Sequence, residues 1–305
     1  MAITLQESLR AAFYAPFYAA LARGAYAAAG VEVRFVSAPS PAEAATSLLA
    51  GAADVCWGGP MRVMATYQAD PGCDLVCFAE VVTRDPFLLI GRTPNPGFQM
   101  ADLRTARLGS VSEVPTPWLC LQEDLRQAGI APERISRIGD RSMAENCAAL
   151  RDGTLDVVQV FEPFASTLLA EGTGHVWYAA ASRGPTSYTT FYARRDVLAA
   201  KRAEFLGMVR AVQATQRWLA GASGAEIAAT VAAYFPAVPA PILAASYDRY
   251  QALGIWGRDP ILPRAGYERL RASLVSGGFV APGAPFAQAV DNSLAEAVLA
   301  EQPPH

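Results

Sequence analysis

Lysine and histidine are nearly missing from this chain. Of its 25 basic residues only Lys201 is lysine, and the histidines are His175 and His305 alone. That removes most lysine chemistry and leaves too few ligands for a zinc site, which draws on histidine and cysteine at short spacings. The five cysteines, Cys56, Cys73, Cys77, Cys120 and Cys147, are odd in number, and the four-residue step from Cys73 to Cys77 has no further Cys or His nearby. Buried free thiols are expected, with a Cys73–Cys77 disulfide as the alternative, and no metal or cofactor is expected. Charge is muted too: 25 basic against 28 acidic residues leave a net −3 with no cationic run, which argues against a nucleic-acid partner. No apolar run approaches the ~18 residues of a membrane span, so no membrane insertion is expected. The opening Met1-Ala2-Ile3-Thr4 carries no basic n-region, apolar core or cleavage site, so the chain as given shows no export signal.

What is present is apolar and repetitive. The 305 residues are 52% apolar and 17% charged, enough for one large core or two ordinary ones. Ala42, Glu43, Leu48, Gly51, Asp54 and Val55 recur as Ala144, Glu145, Leu150, Gly153, Asp156 and Val157, all at one offset of 102 residues. Each copy reads as a helix that closes on a left-handed glycine and turns into a buried strand opening with Asp-Val. Upstream, each copy follows the same order: a strand (Ile3 to Leu5; Arg107 to Val111), a helix (to Ala29; Pro117 to Ala128), Gly-apolar, and a second strand (Val33 to Val36; Arg134 to Ile138). Two similar units predict a two-lobed α/β protein. Lobe one takes residues 1–83 and 187–305 and lobe two takes 84–186, with crossings near Val82 to Asp85 and Arg183 to Tyr188. From Asp196 onward the pattern is helical, including Ala199 to Leu219, Ala225 to Tyr234 and Pro285 to Glu301. These helices have no repeat partner and are expected to cover lobe one.

Ligands of open α/β sheets sit at the carboxyl ends of parallel strands, which singles out four loops. Phe13 and Tyr14 precede Pro16 of the first helix, and either face a ligand or seal that helix against the sheet. Trp57-Gly58-Gly59 ends the third strand, where glycines admit close approach and Trp offers a stacking face; a plain glycine turn is the alternative. Ser112, Glu113 and Thr116 lead into the helix at Pro117. Ser and Thr there suit an anion, Glu113 suits a ligand that donates hydrogen bonds, and simple capping would explain all three. Phe161 and Glu162 stand at the end of the Asp-Val strand of the second unit, the place that the run Trp57-Gly58-Gly59-Pro60 takes in the first. Arg84 and Tyr188 lie in the two crossings.

The arrangement resembles the type II periplasmic solute-binding proteins of the nitrate, sulfonate and taurine branch, with the related thiamine-pyrimidine-precursor proteins. The motifs that carry it are Ala20 to Tyr26 (ALARGAY), Gly30-Val31-Glu32-Val33, the two Leu-x-x-Gly-x-x-Asp-Val joints, Asp85-Pro86-Phe87, and Gly254-Ile255-Trp256 with Asp259-Pro260. The resemblance implies two Rossmann-like lobes with mixed sheets, joined by two crossing strands and closing on one small molecule. It further implies an ABC permease as partner, a monomer, and an extracytoplasmic place if a leader has been removed, the cytoplasm being the alternative. Glu113 and Glu162 resemble acidic positions of the thiamine-pyrimidine relatives, so a planar pyrimidine-like or aromatic ligand is expected, stacked by Tyr14 and Trp57. A sulfonate or nitrate site would instead use backbone amides and Arg84 or Arg183. Enzymes share this fold, but the pyrimidine synthases' Lys and His are absent around Gly58 to Arg62, and the desulfinases' Cys is absent from the first loop. No catalytic residue is therefore expected.

Overall fold

The computed structural model describes residues 2–301; Met1 and residues 302–305, His305 among them, lie outside the described residues. Ten strands form two five-stranded sheets. They are β1 (Ile3–Glu7), β2 (Val33–Ser37), β3 (Val55–Gly58), β4 (Leu75–Val82), β5 (Leu88–Gly91), β6 (Arg107–Gly109), β7 (Ser136–Ile138), β8 (Val157–Val160), β9 (His175–Ala179) and β10 (Thr189–Arg194). The first sheet runs β2-β1-β3-β10-β4 and the second β7-β6-β8-β5-β9. In each, three parallel strands are followed by one antiparallel strand that has crossed from the other sheet. The repeat read in the sequence is thus a repeat of topology.

The Asp of each joint splices strands. Asp54 accepts from the Thr4 amide at 2.8 Å through Oδ2 and donates its own N–H to the Thr4 carbonyl at 3.0 Å. Asp156 treats Arg107 the same way, at 2.9 and 3.0 Å. Each therefore extends the ladder between the first and third strands of its unit by one residue. The preceding Gly51 and Gly153 adopt φ of +73° and +79°, a left-handed turn that a Cβ would strain. Lys201, the single lysine, reaches Asp54 at 2.7 Å.

Two crossings join the sheets, between β4 and β5 and between the turn Ala180–Arg183 and β10. They pair with each other: Thr186 N–H donates to the Thr83 carbonyl at 2.8 Å and Tyr188 N–H to Val82 at 2.9 Å. Arg183 is buried between two carboxylates, 2.9 Å from Asp85 and 2.5 Å from Asp124. Arg183 is thereby committed to structure and is not the free anion-binding arginine that the sequence allowed.

The C-terminal helices pack on the first sheet, and two of them also reach the second. Arg264–Ser276 lies against Thr116–Gln127, and Ala240–Ala252 against Phe164–Ala170. Two predicted helices are interrupted. The first breaks at Lys201 into Arg195–Ala200 and Arg202–Gly221. The last divides into Phe286–Ala289 and Ser293–Ala300, because Val290 bridges Cys77 and the Asp291 amide donates to the Cys77 carbonyl, so the chain briefly extends the β4 edge.

Candidate functional site

The carboxyl ends of β1, β3 and β6 and the starts of β5 and β10 converge on one pocket. The first sheet contributes Ser8, Phe13, Tyr14, Gly59, Met61, Arg62 and Tyr188; the second contributes Phe87, Val114 and Thr116. The open volume is about 40 Å³, little more than one water molecule's share of liquid, so the aromatic walls are nearly in contact. Phe13 meets Phe161 edge-on at 5.3 Å and Tyr188 at 6.1 Å, closing the two sheets over the site. Gly59 keeps the floor narrow: a Cβ there would stand 3.3 Å from both the Met61 side chain and the Tyr188 carbonyl.

Of the residues singled out by sequence, Phe13, Tyr14, Gly59, Thr116 and Tyr188 line this pocket, and Phe161 backs it through Phe13. The others lie elsewhere. Trp57 is fully buried, stacked between Phe17 at 4.7 Å and Phe35 at 5.3 Å, because its side chain leaves the sheet on the face that the first helix covers. Gly58 packs tightly under Tyr192. Glu113 is exposed and accepts from the amides of Ser112 and Met143, the latter opening helix Met143–Arg151, while Ser112 is exposed beside it. Glu162 is fully buried: Oε1 accepts from Arg249 at 2.8 Å, and Oε2 from the Ser166 amide at 2.8 Å and the Ser246 hydroxyl. The two carboxylates do not come together, and each is already satisfied. Arg84 lies behind the crossings and donates to the Ala181 carbonyl.

The residue that sequence reasoning passed over is Arg62. It lines the pocket, yet no hydrogen bond or ion pair engages its guanidinium among the described residues. It is the third residue of helix Pro60–Ala69, where the helix dipole is already positive. A cation in a first helical turn works against that dipole, and this mismatch is the signal the sequence offered. Nearby hydroxyls are neutral donors: burial pushes Tyr14 up to about 12, and burial likewise holds Tyr188 well above its ordinary value. The Tyr188 hydroxyl has no hydrogen-bond partner among the described residues. The site therefore presents one guanidinium, phenol and serine hydroxyls, and aromatic walls, with no carboxylate on its lining.

The thiols stand apart from this chemistry. All five cysteines are free and buried, and burial pushes Cys56, Cys120 and Cys147 each up to about 12. Among the described residues no group of three His, Cys, Asp or Glu could hold a metal ion, and no helix is long and apolar enough to cross a membrane.

Comparison with known proteins agrees with this architecture. "Putative binding protein YtlA" of Bacillus subtilis (strain 168) is 25% identical over 98% of this chain and 90% of its own length. The alkanesulfonate-binding protein SsuA from Xanthomonas axonopodis pv. citri, solved with MOPS, superposes with a TM-score of 0.73 at 16% identity, covering 96% of this chain and 98% of that one. The desulfurization enzyme DSZB superposes at 0.69 with 15% identity, covering 98% and 99%. At these identities the structural matches establish the type II periplasmic-binding-protein fold alone. Residues 9–233 match the NMT1-like family, and the chain belongs to it.

Proposed function

We propose that this chain is the extracytoplasmic substrate-binding component of an ABC importer, and that it captures a small anion between its two sheets. The observation that carries this reading is Arg62, an unpaired guanidinium on a helix N-terminus in a pocket whose lining holds no carboxylate. The anionic group would take Arg62 and the hydroxyls of Ser8, Tyr14 and Tyr188, while a planar or apolar body would pack on Phe13 and Phe87. With so little open volume, entry requires the lobes to part, and binding would shift an open-to-closed equilibrium. The binding proteins among its relatives support a transport role. An enzymatic role like that of the desulfurization enzyme would need a reactive nucleophile, and buried thiols held this high supply no thiolate.

A pyrimidine-like ligand is the second reading, favoured by the aromatic walls. Thermal-shift and calorimetric titrations with sulfonates, carboxylates, nitrate and aminopyrimidines separate the two, because a ligand selective for the native state raises its Tm. Anions should stabilise the protein and lose that effect in Arg62→Ala. Stabilisation by neutral aminopyrimidines alone would overturn the anion reading.

A further inference from the structure

A second cavity, about 420 Å³, opens behind the crossings, on residues that include Glu80, Arg84, Pro185, Trp256 and Arg258. Its floor is Glu80, near the end of β4, 2% exposed, with Oε1 lacking any hydrogen-bond partner. Ser187 and Thr83 stand beside the carboxyl, yet Oε1 keeps no hydrogen-bond partner among the described residues, and in the wall of a cavity that leaves it able to take a donor from outside the chain. On the rim, Arg84 and Arg258 have no carboxylate partner among the described residues. Trp256 adds an indole, and an indole face attracts an organic cation.

We propose that this cavity is a binding site for a small zwitterion, a molecule of amino-acid size whose ammonium group is received by Glu80 and Trp256 and whose carboxylate is received by Arg84 and Arg258. Both signs of charge line the cavity, Glu80 and Asp259 against Arg84 and Arg258, and the buried carboxyl is the deepest of them, so such a molecule would place its ammonium inward. A simple anion would meet Asp259 and could not draw off the proton that burial keeps on Glu80 at neutral pH, as an ammonium can, and a simple amine would leave the rim arginines unanswered. The site is separate from the Arg62 pocket but physically joined to it. Trp256 Nε1 donates to the Phe13 carbonyl at 2.9 Å, and Phe13 lines the other pocket. Thr83 and Pro185, also on the cavity wall, belong to the crossings between the sheets.

The test is isothermal titration of the intact chain with glycine, β-alanine and 4-aminobutyrate, and with butyrate and butylamine as single-charge controls. At least one zwitterion should bind the wild-type protein, tenfold or more tightly than either control. Glu80→Gln, which keeps the side chain's shape, should weaken that binding at least tenfold, and Arg84→Ala, on the rim, should weaken it severalfold. Arg62→Ala should leave it unchanged. No binding by any of the three zwitterions, full retention in both Glu80→Gln and Arg84→Ala, or loss in Arg62→Ala would each overturn the proposal. The last outcome would return the zwitterion to the first pocket. Failure of the first two kinds leaves anion binding at Arg62 untouched.

Discussion

Glu162 Oε1 lies 2.8 Å from Arg249 Nε, and this pair ties the end of β8 in the second sheet to helix Ala240–Ala252 on the first. Around it, Tyr250 Oη accepts from the Glu162 amide at 2.9 Å, so one carboxylate-bearing loop is held by little more than one turn of one helix, through Ser246, Arg249 and Tyr250. The pair is a clasp between lobes. Removing Arg249 leaves a buried carboxylate without its counter-charge. Arg249→Ala should destabilise the protein by about 2–4 kcal/mol, below the top of the range for a fully buried pair because the arginine is partly exposed. Urea unfolding measures this, and small-angle scattering should show a larger radius as the lobes separate. An unchanged urea midpoint would mean the clasp contributes nothing.

Trp57 and Arg62 should respond to substitution in opposite ways. Trp57 sits in a stack of rings inside the first lobe, so Trp57→Ala should reduce stability by about 3–5 kcal/mol, the usual range for opening an aromatic-sized cavity. Arg62→Ala should leave the unfolding midpoint nearly unchanged or raise it slightly, since it removes an unpaired cation from a helix N-terminus. Its effect should fall on anion affinity, lowered by tenfold or more. Calorimetric titration beside urea unfolding of both variants decides the assignment, and a stable Trp57→Ala that fails to bind would restore the tryptophan to the site.

The contrast explains what could be read from the sequence. The doubled Leu-x-x-Gly-x-x-Asp-Val joint was legible because a left-handed glycine and a strand-opening Asp are local requirements, repeated at one offset. The convergence of Phe13, Tyr14, Gly59, Thr116 and Tyr188 was legible because strand ends in an open α/β sheet define a height in the fold. Height is not face. Trp57 is still inside β3, on the face that the first helix covers, while the chain reaches the pocket only at Gly59, where the strand has given way to helix Pro60–Ala69. Glu162 was misplaced for a different reason: beside the local Ser166 amide, its side-chain partners Ser246 and Arg249 come from 84 and 87 positions later, on a helix without a repeat counterpart. No local pattern announces such a contact.

The thiols provide a test of the closed core. With every cysteine buried and free, a thiol reagent should modify the native protein only slowly, while the denatured chain should titrate all five. Burial also raises Cys73 and Cys77, which keeps both protonated at neutral pH and removes the thiolate that attack requires. Rapid labelling of one thiol in the native state, before any unfolding, would show that its covering elements open, and fewer than five in the denatured, unreduced chain would point to the Cys73–Cys77 disulfide instead.

Glu80 gives the stability curve a slope of predictable sign. In the folded protein burial pushes its carboxyl up to about 8, with nearby Ser187 and Thr83 opposing the shift and Asp259 adding to it. In the unfolded chain the same group titrates near ~4.3. Between those values the native state holds a proton that the unfolded state has released, so stability falls as pH rises from about 4 to 8, by at most about 1.4 kcal/mol per pH unit. Above pH 8 both states are ionised and the contribution levels off. Glu80→Gln cannot ionise and should lack this decline. The gap between variant and wild type in urea midpoint should therefore shift steadily in favour of the variant from pH 5 to 8 and then become constant. Parallel curves across that range would mean that the carboxyl is already ionised in the folded state, with a counter-charge close by.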